Sequence, residues 1–243
     1  MLKRMKNKKL HLGCGSYYLE GYWNIDFPLS EHSVGNPVAD QHVDFLKLDY
    51  PTGSLEEVRC HHVFEHFNRA RAIGLLLQWR RWLRIGGRVH IETPDFDRAI
   101  RYYQWSGPKG RAKIGRHIFG SQEAGWAIHY DYWSKRKFKK VFKKLGFRVL
   151  KIRQRSNSLA TKFNNPIFNL LGLFVPLSIY KKFGLNKLPN IEVIAEKTTE
   201  EVDELVVARE ILSEYLVGDE GDALLDVWVG QVYEQSINNN TDL

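Results

Sequence analysis

Between positions 61 and 66 the chain reads His-His-Val-Phe-Glu-His, and a further histidine, His129, stands in Trp-Ala-Ile-His-Tyr-Asp. Histidine is the usual general base at neutral pH, and a neighbouring carboxylate tunes it, so His66, His129 and Glu65 are the residues whose types suit proton transfer. Glu65 could instead hold a substrate or a ligand amine. A second group of residues suits binding. Gly13-Cys14-Gly15 lets the backbone come close to a ligand where a Cβ would collide, and amides at such a turn can face an anion. Asp26 and Asp49 each follow a short apolar stretch, where a carboxylate can accept hydrogen bonds from hydroxyl or amino groups.

These residues need strand ends to hold them. Lys8–Leu12 reads as a strand running into the glycines, and Tyr22–Ile25 as a second ending at Asp26. Val43–Leu48 alternates up to Asp49, and Val58–Phe64 leads into the Glu-His pair. A helix is expected from about Asn68 to Leu83, stopped by Gly86-Gly87, followed by a strand over Arg88–Thr93 that ends at Pro94-Asp95. Residues 98–130 are rich in aromatics and glycine and show weak periodicity. Tyr132–Leu145 is a basic amphipathic helix with Phe138, Val141, Phe142 and Leu145 on one face. Phe147–Ile152 and Ile191–Ala195 are late strands that suit a hairpin at the edge of the sheet. Strands alternating with helices imply an α/β fold with a mostly parallel sheet, and ligands in such sheets bind beyond the strand ends.

In this order the motifs over residues 8–152 resemble class I S-adenosylmethionine-dependent methyltransferases. They are closest to predicted methyltransferases with a Gly-x-Gly first motif and His-x-x-Glu-His after strand four, some of which act in surface-glycan and small-molecule pathways. The resemblance implies a Rossmann-like seven-stranded sheet with helices on both faces. It also implies cofactor contacts at Gly13, Cys14, Gly15, Asp26 (ribose), Leu48 and Asp49 (adenine) and His62, and a catalytic group among His129, His66 and Glu65. S-adenosyl-L-methionine is the implied cofactor, and no metal is expected. A dehydrogenase fits less well: the third glycine position of its fingerprint is Tyr18, and Asp26 comes 13 residues after Gly13 rather than about 20 after the motif. That short interval leaves room for a loop or single turn in place of the first helix, with Tyr17 or Tyr18 near the cofactor's carboxylate.

The implied activity is O-methylation of a sugar or other small metabolite, so a small-molecule or saccharide acceptor is the expected partner. RNA ranks second. The body is basic, and Tyr102, Tyr103 and Trp105 interleave with arginines, but the Asn-Pro-Pro-Tyr type of element is absent after strand four, and no cysteine is placed to attack carbon. A catalytically silent scaffold of the same fold is the rival of another class. Such a scaffold would not need Gly13, Gly15, Asp26 and Asp49 together.

Charge divides the chain. Residues 1–197 hold 35 Lys and Arg against 16 Asp and Glu, a net +19. Residues 198–243 hold 1 against 12, a net −11. The division expected is a methyltransferase domain over 1–197, with an insertion at about 156–189, and an acidic helical tail over 198–243. The tail's helices, Thr198–Leu216 and Ala223–Gln235, carry apolar residues at Val202, Leu205, Val206, Leu224, Leu225 and Trp228. They should dock on the body or join two copies in a homo-oligomer. The two cysteines and the lack of an apolar core in Met1–Lys9 suit a cytoplasmic protein. No stretch is long enough to span a bilayer, although 164–188 is apolar enough for peripheral membrane contact, with packing over the sheet the preferred role.

Overall fold

Alternation along the central strands decides the architecture. In Glu57-Val58-Arg59-Cys60-His61 the even positions are fully buried and apolar while the odd ones are charged or polar, and the neighbouring strands repeat the pattern in register. The computed structural model describes residues 8–31, 37–156 and 188–237. Its strands are β1 (Lys9–Leu12), β2 (Trp23–Asp26), β3 (Gln41–His42), β4 (Leu55–His61), β5 (Leu83–Pro94), β6 (Phe147–Ser156) and β7 (Pro189–Lys197). They form one seven-stranded sheet in the order β3-β2-β1-β4-β5-β7-β6. β1 to β5 pair in parallel, and β7 runs antiparallel to both β5 and β6. This is the Rossmann-like class I methyltransferase sheet that the resemblance implied, with the expected late hairpin forming the edge beyond β5.

The apolar face of the sheet carries Leu10, Leu12, Ile25, Val58, Cys60, Val89, Ile91, Val193 and Ala195 into the main core. Helices α1 (Arg69–Trp82) and α4 (Lys135–Lys144) contribute Trp79, Trp82, Phe138 and Phe142 to that core. Two C-terminal helices, α5 (Glu204–Leu212) and α6 (Asp222–Ile237), join the same layer through Ala208, Ile211, Leu212, Leu225 and Val232. The acidic tail is therefore docked on its own chain. Its buried residues differ in part from those expected, because Leu205 and Val206 are exposed. The other sheet face carries an ionic ladder. Tyr22 donates to Glu57, His90 bonds Glu192 at 2.8 Å, and Arg155 grips Glu192 through two nitrogens.

Several expected elements change. The strand expected over Val43–Leu48 is only Gln41–His42; the chain then turns into a 3-10 segment, Phe45–Lys47. The cause is Asp44, whose carboxylate accepts the Leu46 amide at 3.0 Å and draws the backbone away from the ladder. Gly86-Gly87 does not cap α1, which ends at Trp82 and passes directly into β5. Leu55 pairs with Leu83 and Glu57 with Arg88, so Glu56 alone stands opposite residues 84–87, a bulge that Gly86 at φ +78° makes possible. The weakly periodic 98–130 region contains α2 (Phe96–Trp105) and α3 (Pro108–Phe119), started by Asp95 as an N-cap and by Pro108. No helix forms between β1 and β2, as the short interval required. Most of the insertion, including 164–187, lies outside the described residues.

Candidate active site

The chain leaves β1 for β2 and β3 on one side and returns to β4 on the other, so the sheet order reverses between β1 and β4. Open α/β sheets bind ligands in the crevice at that reversal. A cavity of about 530 Å³ lies there. Its walls come from the carboxyl ends of the strands: Gly13 and Gly15 after β1, Asp26 and Phe27 at β2, Phe45 and Leu46 after β3, and His62 and Val63 after β4. His66, Asn68 and Arg71 continue the wall, and Trp126 and Tyr130 close over it. A larger hollow of about 760 Å³ among α2, α4 and Tyr215 shares no residue with these strand ends.

The first loop is built differently from expectation. Gly13 has φ +64°, and a Cβ on it would come within 2.2 Å of Val63 Cγ2, so this glycine admits the β4 loop rather than a ligand. Gly15, at φ +54°, has open space where its Cβ would be. The amides expected to face an anion are turned inward. Gly13 and Cys14 donate to the Ile25 carbonyl at 2.9 and 3.2 Å, and Gly15 donates to Asp26 Oδ2 at 2.5 Å. Phe27 N donates to Asp26 Oδ1 at 2.8 Å, so two amides fix this buried carboxylate on the cavity wall. The Cys14 thiol is buried, and burial together with Asp26 pushes its pKa up to about 12. Leu48 and Asp49 are not among the cavity-lining residues. Asp49 accepts from the Trp82 indole at 2.9 Å, and the Leu48 carbonyl accepts from Gln78. The early end of β3 accounts for both: Phe45 and Leu46 reach the cavity in their place, with Phe27 and Phe45 rings 5.3 Å apart.

The histidine-rich end comes together only through the fold. His62 sits at φ +54°, where it stops β4, and its ring lies between Glu65 (3.4 Å) and Glu92 (3.4 Å). Burial opposes its charge, but the two carboxylates prevail and raise its pKa. Glu65, 2% exposed, directs Oε1 at His62, while its Oε2 is buried without a hydrogen-bond partner. The segment after α3 folds over these residues: Gly120 bridges to Ile128, and Tyr130 N donates to the Glu65 carbonyl at 3.0 Å. This brings the His129 ring to 4.8 Å from the His66 ring. Burial lowers the His129 pKa, with the His66 and His117 charges adding to it against the pull of Glu65. The expected catalytic residues Glu65, His66 and His129 thus form one cluster, with His62 beside it. Asp95 is fully buried and caps α2, which gives it a structural role. Sequence reasoning missed Glu92, Asn190 and His117 as supports. Glu92 lies at the end of β5, the one signal that could have marked it; Asn190 Nδ2 donates to it at 3.1 Å.

No family model matches the chain, and no curated protein matches it. Among solved structures, an S-adenosylmethionine-dependent methyltransferase from Methanosarcina mazei is similar at 14% identity and a TM-score of 0.46, over 79% of this chain and 92% of that one. One from Archaeoglobus fulgidus is similar at 18% identity and a TM-score of 0.45, over 78% and 85%. One from Mesorhizobium loti shares 14% identity at a TM-score of 0.46, over 78% and 90%. At such identities the likeness is one of fold alone.

Proposed function

We propose that this chain is an S-adenosylmethionine-dependent methyltransferase that methylates a hydroxyl of a sugar or other small metabolite. The observation that carries the proposal is the two-ended cavity at the sheet reversal. One end presents a fixed carboxylate and aromatic walls, and the other presents His66, which Glu65 and His129 adjoin. Its volume is in the range of small-molecule sites. The residues suit the cofactor's parts. Asp26 would accept from the ribose hydroxyls, Phe27, Phe45 and Leu46 would enclose the adenine, and His62 would face the methionine carboxylate.

When bound, the cofactor supplies an electrophilic methyl group on sulfur. The sulfur–carbon bond breaks as an oxygen–carbon bond forms in line with it, so the protein's work is alignment and exclusion of water. Trp126 and Tyr130 cover the cavity, and the Glu65-His66-His129 cluster deals with the proton that the hydroxyl loses. His129 with a lowered pKa is neutral at pH 7 and so able to accept one. RNA remains the second reading, because the arginine–tyrosine pairs noted in the sequence are engaged with each other: Arg98 lies over Tyr102 and Arg111 over Tyr103.

Calorimetry with S-adenosylhomocysteine tests the proposal. A saturable heat is expected, and Asp26→Ala should weaken binding by roughly 1–3 kcal/mol, the cost of losing a charged hydrogen-bond partner. No heat at millimolar ligand with folded protein refutes it.

A further inference from the structure

We propose that Glu65, His66 and His129 bind a divalent first-row transition-metal ion beside the cavity. One nitrogen from each ring and one carboxylate oxygen lie within 4.8 Å of one another, and His66 lines the cavity itself. The hydrogen bonds around the rings select the ligating atoms. His66 Nδ1 is 3.1 Å from the Ile128 carbonyl, and His129 Nδ1 is 3.1 Å from the His117 carbonyl. A carbonyl can only accept, so each Nδ1 carries the hydrogen and each Nε2 keeps its lone pair. Metal-bound histidines are commonly oriented in this way, with the second ring nitrogen donating to a backbone carbonyl.

Glu65 supplies the independent observation. It is 2% exposed, and its Oε2 is buried with no hydrogen-bond partner, an arrangement that costs stability unless something cationic completes it. His62 occupies the other oxygen, Oε1, and so leaves Oε2 for the ion. Two imidazoles and one carboxylate suit manganese, iron, cobalt or zinc better than calcium or magnesium, which favour all-oxygen shells. Three protein ligands leave at least one coordination position open, as in catalytic metal sites, and His66 borders the cavity from which a further ligand would come.

The use of the ion deepens the proposed function and rests on it. An acceptor hydroxyl in an open position would have its pKa lowered and would release its proton to solvent water. The resulting alkoxide would take the methyl group from sulfur as the sulfur–carbon bond breaks. His66 and His129 would then be ligands rather than bases. No short ligand spacing in the sequence announces this metal site, because His129 stands 63 positions from His66.

The test uses full-length, tag-free protein stripped of metal and titrated with Mn²⁺ followed by electron paramagnetic resonance, and with Co²⁺ followed by visible absorption. One bound ion per chain is expected. Glu65→Gln, His66→Asn and His129→Asn should each weaken it at least about tenfold, the scale seen when metal-site groups are removed. Circular dichroism and an S-adenosylhomocysteine titration on the same samples show that each variant is folded. Folded wild-type protein that binds neither ion at millimolar concentration overturns the proposal, as do three folded variants that bind like wild type. Ion binding without S-adenosylhomocysteine binding supports the metal site and removes the methyl-transfer reading. The reverse result removes the metal site alone.

Discussion

Gly13 and Gly15 look equivalent in sequence, yet the structure gives them different jobs. A methyl at Gly13 would strike Val63 and occupy a left-handed conformation, whereas at Gly15 only the conformation is unfavourable. Gly13→Ala should therefore cost about 2–4 kcal/mol and Gly15→Ala about 1–2 kcal/mol in urea unfolding. Equal losses would show that the Val63 contact does not matter. The same comparison bears on the site, since Val63 also lines the cavity and a shifted Val63 should weaken S-adenosylhomocysteine binding in the Gly13 variant.

The element that decides acid behaviour is the polar face of the sheet. Burial would raise the Glu192 pKa, but the hydrogen bond with His90 and the Arg155 charge bring it down to about 2 from an ordinary 4.5. A carboxylate depressed in the folded state stabilises above its unfolded pKa, and that contribution fades as pH falls from 4.5 toward 2. Burial and the nearby Arg59 lower the His61 pKa to about 2, and its sign is the same: as pH falls below 6.5 the unfolded chain takes up a proton that the folded chain refuses. Stability should thus fall steadily in acid. Glu192→Gln should flatten the part of the curve below pH 4.5, over which the wild-type carboxylate loses a contribution on the order of 3 kcal/mol. Equilibrium unfolding between pH 7 and 2 checks this; identical slopes in the two proteins would exclude Glu192 as the cause.

At the scale of the whole molecule, the acidic C-terminal helices belong to the body's core. A Cβ on Gly74 of α1 would come within 2.8 Å of Gln235 Cβ in α6, so the two helices approach closely at that point. Gly74→Val should push α6 off and cost about 1–3 kcal/mol, read as a lowered Tm. Truncation after Lys197 should leave an aggregating chain, because it uncovers the face of α1 that α6 covers. Charge acts separately from this packing. Lys140 pairs with Glu214 and Lys144 with Glu210 at the surface, where such pairs contribute less than about 1 kcal/mol each. Reversing both acids to lysine should leave Tm nearly unchanged while taking the net charge from +8 to +12. Elution from heparin should then need more salt. Unchanged elution would mean that this surface does not meet polyanions.

Sequence periodicity settled the alternating strands, the amphipathic α4 and the order of the motifs, because these depend on local spacing. The positions of the glycine pair and Asp26 were legible for the same reason, since each sits within a residue or two of a strand end, but not that Gly13 makes room for Val63. The third strand was misread because one side chain, Asp44, outcompeted an alternating pattern that otherwise suits a ladder. Asp49 was misplaced along with it. What only the tertiary structure decided is which groups meet. His129 reaches Glu65 and His66 through a loop pinned at Gly120 and Tyr130, and Glu65 Oε2 is left without a partner by the packing around it. Sequence spacing carries no information about contacts more than sixty positions apart; burial and the hydrogen bonds of the closing loop create them.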